Sequence, residues 1–288
     1  MAGPIAGSPV TGSPVAGPTV TDIRARKGGS TPLVMVTAYD APGAGMASDA
    51  GVDMILVGDS VAMTVLGYPD TLSIGVDEMV HHVGAVARAQ PTPLVVADLP
   101  WMSFHVSPSD TVLNAARLLR AGGQAVKLEG GRKRLPMVNA LLDAEVPVMG
   151  HLGLTPQSVR AFGGFRVQAR TDEAAEALLD DALALADAGV FALVLEGVPA
   201  PVAARVTAEV PVPTIGIGAG PDCDGQVLVL HDLLGLEDRL RPRFVRRYAT
   251  LRDDGVDALR RYADDVRNGK FPNAEESYGA PVHRDGDR

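Results

Sequence analysis

Three stretches of the chain share one grammar: SDAGVDMILVGD at 48–59, LRAGGQAVKLEG at 119–130 and ADAGVFALVLEG at 186–197. In each, a helix-like segment stops at glycine, an apolar run of strand length follows, and an acid closes that run at its C-terminal end. Glycine tolerates the left-handed backbone that ends a helix. A branched aliphatic run of four or five residues suits a strand buried on both faces. Repetition of this unit predicts successive βα units around a parallel sheet.

Outward from these stretches, eight such runs appear: Leu33–Thr37, Met54–Val57, Leu94–Ala97, Ala125–Leu128, Pro147–Met149, Phe191–Leu195, Pro213–Ile217 and Val227–Leu230. Helical spacing fills intervals between them. Val76, Met79, Val80, Val83 and Val86 mark a helix over 77–90, and Val112, Ala115, Ala116 and Leu119 one over 108–121. The second has a start signal, with Ser107 as N-cap, Pro108 at the first position and Asp110 at the third. A third helix over 172–188 opens on Thr171-Asp172-Glu173 and ends at Gly189. Eight strands favour a closed (β/α)8 TIM barrel over an open doubly wound sheet. The glycine-rich string Gly216-Ile217-Gly218-Ala219-Gly220 follows the seventh strand and reads G-x-G-x-G. It is therefore no dinucleotide fingerprint, which needs G-x-G-x-x-G after a first strand.

Length and composition agree. The chain has 288 residues, 46% hydrophobic and only 4% aromatic, so the core must be aliphatic. One barrel accounts for that length. We expect a Pro/Gly-rich low-complexity tail over 1–21, a catalytic barrel over 22–272 and a loose C-terminal tail over 273–288. The N-terminal tail lacks the basic and continuous apolar regions of a secretory signal. The net charge of −9 argues against nucleic-acid and anionic-membrane partners. No apolar run approaches the length of a membrane span. A single cysteine, Cys223, forms no intrachain disulfide and suits a cytoplasmic location.

Strand C-termini of a barrel converge on the face that carries chemistry. Tyr39 and Asp40 follow the first strand, Asp59 and Ser60 the second, and Asp98 the third. Lys127 lies in the fourth strand with Glu129 at its end. His151 follows the fifth strand and Glu196 the sixth. Each acid alone has a bland reading, a helix cap or an ion pair. Several at equivalent positions around one mouth repel one another, and a bound cation resolves that repulsion. Oxygen donors without cysteine select Mg²⁺ or a similar hard ion, and Asp59, Asp98 and Glu129 come from successive strands. An inward lysine in an apolar strand must be paired. Lys127 is expected to pair with Glu129 or Asp98, to bind a substrate carboxylate or oxo oxygen, or both. His81 and His82 are adjacent and point apart on a helix. Cys223 has no histidine base adjacent in sequence and reads as a small loop residue. Ser60 lacks a nucleophile-elbow setting and reads as a hydrogen-bond donor.

At these strand ends the sequence resembles the ketopantoate hydroxymethyltransferases. The matching strings are TAYD (37–40), LVGDSVAMTVLGY (56–68), ADLPWMSF (97–104), VKLEGG (126–131), GHLGLTPQSV (150–159), FGGFRVQAR (162–170), VLEGVP (194–199) and GIGAGPDCDGQVLVLHD (216–232). The resemblance implies a Mg²⁺-dependent barrel in pantothenate biosynthesis. It would transfer a one-carbon unit from 5,10-methylenetetrahydrofolate to 3-methyl-2-oxobutanoate, giving 2-dehydropantoate, usually as a homodecamer. It implies Asp59, Asp98 and Glu129 as metal ligands, Asp59, Ser60, Asp98 and Lys127 as 2-oxo acid contacts, and Glu196 as catalytic base. His151 would hold the nascent hydroxymethyl group or relay a proton. The stretch 152–170 would cover the mouth as a lid, or else form a surface loop or subunit contact. The rival reading is a Mg²⁺-dependent lyase of the phosphoenolpyruvate mutase/isocitrate lyase type. A third is a barrel retained as a non-enzymatic subunit, whose signature would be loss of Glu196 or of a metal ligand.

Overall fold

The computed structural model of the chain describes residues 17–164, 166–237 and 242–279. A short helix, α1 (Val20–Ala25), precedes β1 (Leu33–Thr37). There follow α2 (Ala41–Asp49), β2 (Met54–Val57), α3 (Val61–Thr64), α4 (Val76–Arg88), β3 (Leu94–Asp98), α5 (Pro108–Arg120) and β4 (Ala125–Glu129). Then come α6 (Leu135–Asp143), β5 (Val148–Gly153), α7 (Val159–Phe162), α8 (Asp172–Ala188), β6 (Ala192–Glu196), α9 (Ala200–Glu209), β7 (Thr214–Ile217), β8 (Gly225–Leu228) and α10 (Leu230–Leu233). The eight strands pair in sequence order, all parallel, and β8 closes on β1 with Leu228 opposite Val36. This is a (β/α)8 barrel.

Side chains alternate along a strand, so every second residue enters the barrel. Leu33 and Met35, Met54 and Leu56, Leu94 and Val96, Ala125, Met149, Ala192 and Val194, Ile215 and Val227 fill that interior as one buried cluster. The same alternation, carried one step further toward the C-terminal ends, turns Asp98, Lys127, Glu129, His151 and Glu196 inward. Charge therefore begins where the apolar layers stop.

The opposite end is closed by α1. Thr19 caps it through a reciprocal pair with Asp22, and Ile23 is fully buried against the interior cluster. Arg26 pairs with Asp53 at 3.2 Å and Lys27 with Asp224 at 2.9 Å, just ahead of β2 and β8. Thr19, Val20 and Thr21 thus belong to an ordered helix, although composition assigns them to the tail. Residues 1–16 of that tail and 280–288 of the C-terminal one lie outside the described residues.

Four strands differ from expectation by one residue at one or both ends, and two differ by more. The fifth runs on to Gly153, so His151 lies inside it. The eighth spans Gly225–Leu228 rather than Val227–Leu230. Glycine and glutamine are weak strand formers, which hides its start. Yet Leu33 N–H donates to Asp224 O at 2.8 Å, and a Cβ on Gly225 would lie 2.5 Å from Leu33 O.

Internal contacts divide the chain into the barrel unit, up to Leu230 with Pro242–Val245, and a second unit of His231–Arg241 and Arg246–Arg288. The second unit contains the 17-residue helix α11 (Leu251–Arg267), none of whose residues is buried. Among the described residues no helix is long and apolar enough to cross a membrane.

Candidate active site

The inward-facing charges meet at the C-terminal rim. Asp98 on β3 stands in register with Lys127 on β4, and Glu129 on β4 with His151 on β5. Lys127 Nζ lies 2.9 Å from Asp98 Oδ1, and both side chains are only 5% exposed. Of its two expected partners, Lys127 thus takes Asp98. Asp59 enters from the turn after β2, where its backbone N–H donates to Asp98 Oδ2 at 3.0 Å. Gly58 permits this approach, since a Cβ there would stand 2.9 Å from Ser60 Oγ and 3.4 Å from Asp98 Oδ2. His151 bridges the far side, with Nδ1 3.4 Å from Glu129 Oε1 and Nε2 3.1 Å from Glu196 Oε2. Glu196 is the more open group, its side chain 17% exposed.

The electrostatics follow from crowding. Burial raises the Asp59 carboxyl well above the ordinary range, and the Asp98 and Glu129 carboxylates raise it further. Burial alone would discharge Lys127, but Asp98, Glu129 and Asp59 together hold its ammonium more firmly charged than in water. Burial and the neighbouring Lys127 both push His151 down. Hydrogen bonding to Glu129 and Glu196 overcomes them, and its pKa is raised to about 9. The two ring nitrogens of His151 thus face one carboxylate each. Lys127 Nζ also comes within 3.2 Å of His151 Nδ1, with carboxylates around both.

The stretch after β5 folds over this rim. Gly153 has φ +92, and a Cβ there would come within 2.2 Å of Glu196 O, so only glycine lets β5 leave so close to β6. Leu154 N–H donates to Glu196 O at 2.7 Å, and further on Gln168 N–H donates to Gly197 O at 2.9 Å. The excursion thus starts and finishes on the strand end that carries Glu196. Between these ties, a 3₁₀ turn (Pro156–Ser158) drives Gln157 inward. Its amide Nε2 donates to Asp59 Oδ2 at 2.8 Å and to Leu99 O at 3.0 Å, and its backbone N–H donates to Glu129 Oε2 at 3.0 Å. Arg160 pairs with Asp70 at 3.1 Å on the outer edge. Part of the 152–170 stretch is therefore a cover over the acids.

Sequence reasoning missed Gln157. A neutral residue in a loop carries no charge signal; its place between Pro156 and Ser158, both turn formers, was the one available cue. Other candidates resolve plainly. Asp40 caps α2, accepting from Gly43 N–H at 2.7 Å, which is the bland reading of a strand-end acid. Ser60 Oγ lies 2.9 Å from the Tyr39 hydroxyl, on the rim beside Asp59. His82 Nδ1 lies 2.8 Å from Tyr39 O, behind the rim, so it supports the turn after β1. Cys223 precedes β8, at the end away from the rim, and burial raises its thiol pKa. It is remote from the acids.

The donor set matches a hard dication in chemistry. Asp59, Asp98 and Glu129 are carboxylates, each no more than 5% exposed, and they outnumber the nearby cations unless one more is bound. Asp98 Oδ1 is buried without a well-aligned hydrogen bond despite its closeness to Lys127. As the side chains stand, no three of the described His, Cys, Asp and Glu residues surround one point at ligand distance. Mg²⁺ does not need that, because it commonly takes one or two carboxylates and keeps several waters.

Comparison with known proteins agrees with the motifs. The sequence profile of the ketopantoate hydroxymethyltransferases matches residues 18–274. The chain is 58% identical over 261 residues to the 3-methyl-2-oxobutanoate hydroxymethyltransferase of Moorella thermoacetica, covering 90% of this chain and 97% of that one. It is 57% identical to the enzyme of the same name from Oleidesulfovibrio alaskensis, covering 91% of each. Among solved structures, 2,3-dimethylmalate lyase, a PEP mutase/isocitrate lyase superfamily member, superposes with a TM-score of 0.57. It covers 91% of each chain at 16% identity, a likeness of fold alone.

Proposed function

That the chain belongs to the ketopantoate hydroxymethyltransferase family is the premise from which we propose its reaction. It transfers a one-carbon unit from 5,10-methylenetetrahydrofolate to 3-methyl-2-oxobutanoate, giving 2-dehydropantoate for pantothenate biosynthesis. The carrying observation is the chain Glu196–His151–Glu129 set beside the buried Lys127–Asp98 pair at one rim. The rival lyase reading has only the shared barrel behind it.

The chemistry asks for a base near a 2-oxo acid and positive charge near its oxo oxygen. Glu196 is the base, taking the C3 proton while the electron pair moves into the C2–C3 bond and onto the oxo oxygen. Lys127, with Asp59, Ser60 and Asp98 around it, binds the acid and places positive charge by the growing oxyanion. Asp59, Asp98 and Glu129 are the residues that would hold Mg²⁺, which would supply Lewis-acid polarisation of the oxo group. The balance includes one water: its oxygen becomes the hydroxyl oxygen of the one-carbon unit as that unit's two C–N bonds to the folate break, and its two protons end on the nitrogens of the tetrahydrofolate that leaves. Carbon C3 then bonds to that unit at the formaldehyde level, and the new alkoxide takes up a proton. His151, whose Nε2 lies 3.1 Å from Glu196 Oε2, is the group that relays that proton. The single cysteine suits a cytoplasmic setting, and the family resemblance implies a homodecamer.

The test is exchange of the C3 proton of 3-methyl-2-oxobutanoate into deuterated water, without folate, with Mg²⁺ or with chelator. Wild type exchanges with Mg²⁺ and stops with chelator. Glu196→Gln still binds the acid but exchanges about 10²–10⁴-fold more slowly. Undiminished exchange in that variant removes Glu196 as the base.

A further inference from the structure

Gln157 spends every donor it has on this site. Both amide protons go to Asp59 Oδ2 and Leu99 O, and the backbone N–H goes to Glu129 Oε2. Two acceptors fix the amide's orientation, because a flipped amide would set its oxygen against a carboxylate. The side chain is only 5% exposed, and its Oε1 is buried with no hydrogen-bond partner among the described residues. A buried acceptor left open in this way is suited to a donor that arrives with the loaded site, such as water. The two carboxylates it holds come from different strands, the turn after β2 and the end of β4. Among the hydrogen bonds of the described residues, Gln157 is the direct tie between them.

We propose that Gln157 is a positioning residue that sets the Asp59 and Glu129 carboxylates for a divalent cation and makes closure of the stretch from Leu154 to Arg160 depend on that cation. Outer-shell hydrogen bonds orient carboxylate ligands, and losing one typically weakens metal binding about 10–100-fold. Coupling is reciprocal: what the closed stretch does for cation affinity, the cation does for closure. The stretch is built for this, since Leu154 is tied to Glu196 O at one end and Arg160 to Asp70 at the other, with Gln157 between them. The inference rests on the reading of Asp59, Asp98 and Glu129 as cation donors.

The experiment titrates Mn²⁺ into the full-length protein and follows the free-ion signal by electron paramagnetic resonance, with no substrate present. Gln157→Met keeps the length and apolar stem but removes both side-chain donors. It should bind Mn²⁺ about 10–100-fold more weakly than wild type. In parallel, trypsin reports closure through cleavage after Arg160 and Arg166, at and just beyond the end of the covering stretch. Saturating Mn²⁺ should slow cleavage in wild type and have little effect in Gln157→Met. A residue that merely supports the fold would lower thermal stability without moving the ion affinity of the folded protein. Should Gln157→Met fail to fold, Gln157→Asn retains an amide one methylene short, and about tenfold weaker binding is expected of it. Mn²⁺ affinity within about twofold of wild type, with protection intact, overturns the proposal and leaves the cation site standing. Absence of Mn²⁺ binding in wild type overturns the cation reading and this inference with it.

Discussion

Replacing Lys127 by methionine tests whether the rim is held together by charge. The ammonium is 5% exposed, stands 2.9 Å from the equally buried Asp98, and is held charged by Asp98, Glu129 and Asp59 together. Methionine fills nearly the same volume, so cavity formation contributes little. The cost is instead that of an uncompensated buried carboxylate, about 3–5 kcal/mol when one member of a buried pair is deleted. Against a total stability of about 5–15 kcal/mol, that is a large fraction. Urea unfolding at pH 7 in the presence of chelator should show this loss. Adding Asp98→Asn should restore most of it, because removing both charges of a buried pair is often neutral. The amide oxygen introduced by Asp98→Asn still accepts the Asp59 N–H. A loss below about 1 kcal/mol in the single variant, or a double variant no better than the single, refutes the argument.

Two further outcomes follow from the ends of the barrel. Burial raises Asp224, but Lys27 and the backbone N–H groups of Thr214 and Gly28 more than offset this and leave its carboxyl below the ordinary range. Its contribution is therefore complete above the unfolded-state pKa of about 3.9 and is lost as pH falls through the lower folded value. Asp224→Asn should lose about 1–3 kcal/mol at pH 7 and show a flatter acid limb of urea midpoint against pH; parallel limbs would contradict it. At the rim, Gly153→Ala places a Cβ 2.2 Å from Glu196 O at φ +92. It should cost about 1–3 kcal/mol in thermal unfolding and slow C3 proton exchange by shifting Glu196, the proposed base; wild-type values of both would show that β5 leaves room there.

The barrel was legible in sequence because glycine, aliphatic run and terminal acid recur with the period of a βα unit. Runs such as Leu33–Thr37 and Met54–Val57 match the strands end to end. Helix α5 shows where spacing alone falls short. Its buried residues are Thr111, Ala115 and Leu118, not the stripe through Val112 and Leu119. Thr111 reads as polar, yet its hydroxyl donates to Ser107 O at 2.8 Å, so the satisfied side chain can go inside. In the site, charge at strand ends pointed to Asp59, Asp98, Lys127, Glu129, His151 and Glu196, since buried charge must be explained. Gln157 escaped because its role depends on where a loop returns, and no local periodicity encodes that.

The alternation that fills the barrel has a consequence for how its chemistry can change. Ala125, Lys127 and Glu129 share one parity along β4, as do Leu94, Val96 and Asp98 along β3. Deleting or inserting a single residue within either strand would exchange odd for even, sending the charged groups out to the helical layer and bringing Val126 and Leu128, or Val95 and Ala97, to the mouth. Tolerable length changes are thus confined to the loops, and the charged rim inherits the same all-or-none register constraint as the hydrophobic layers beneath it.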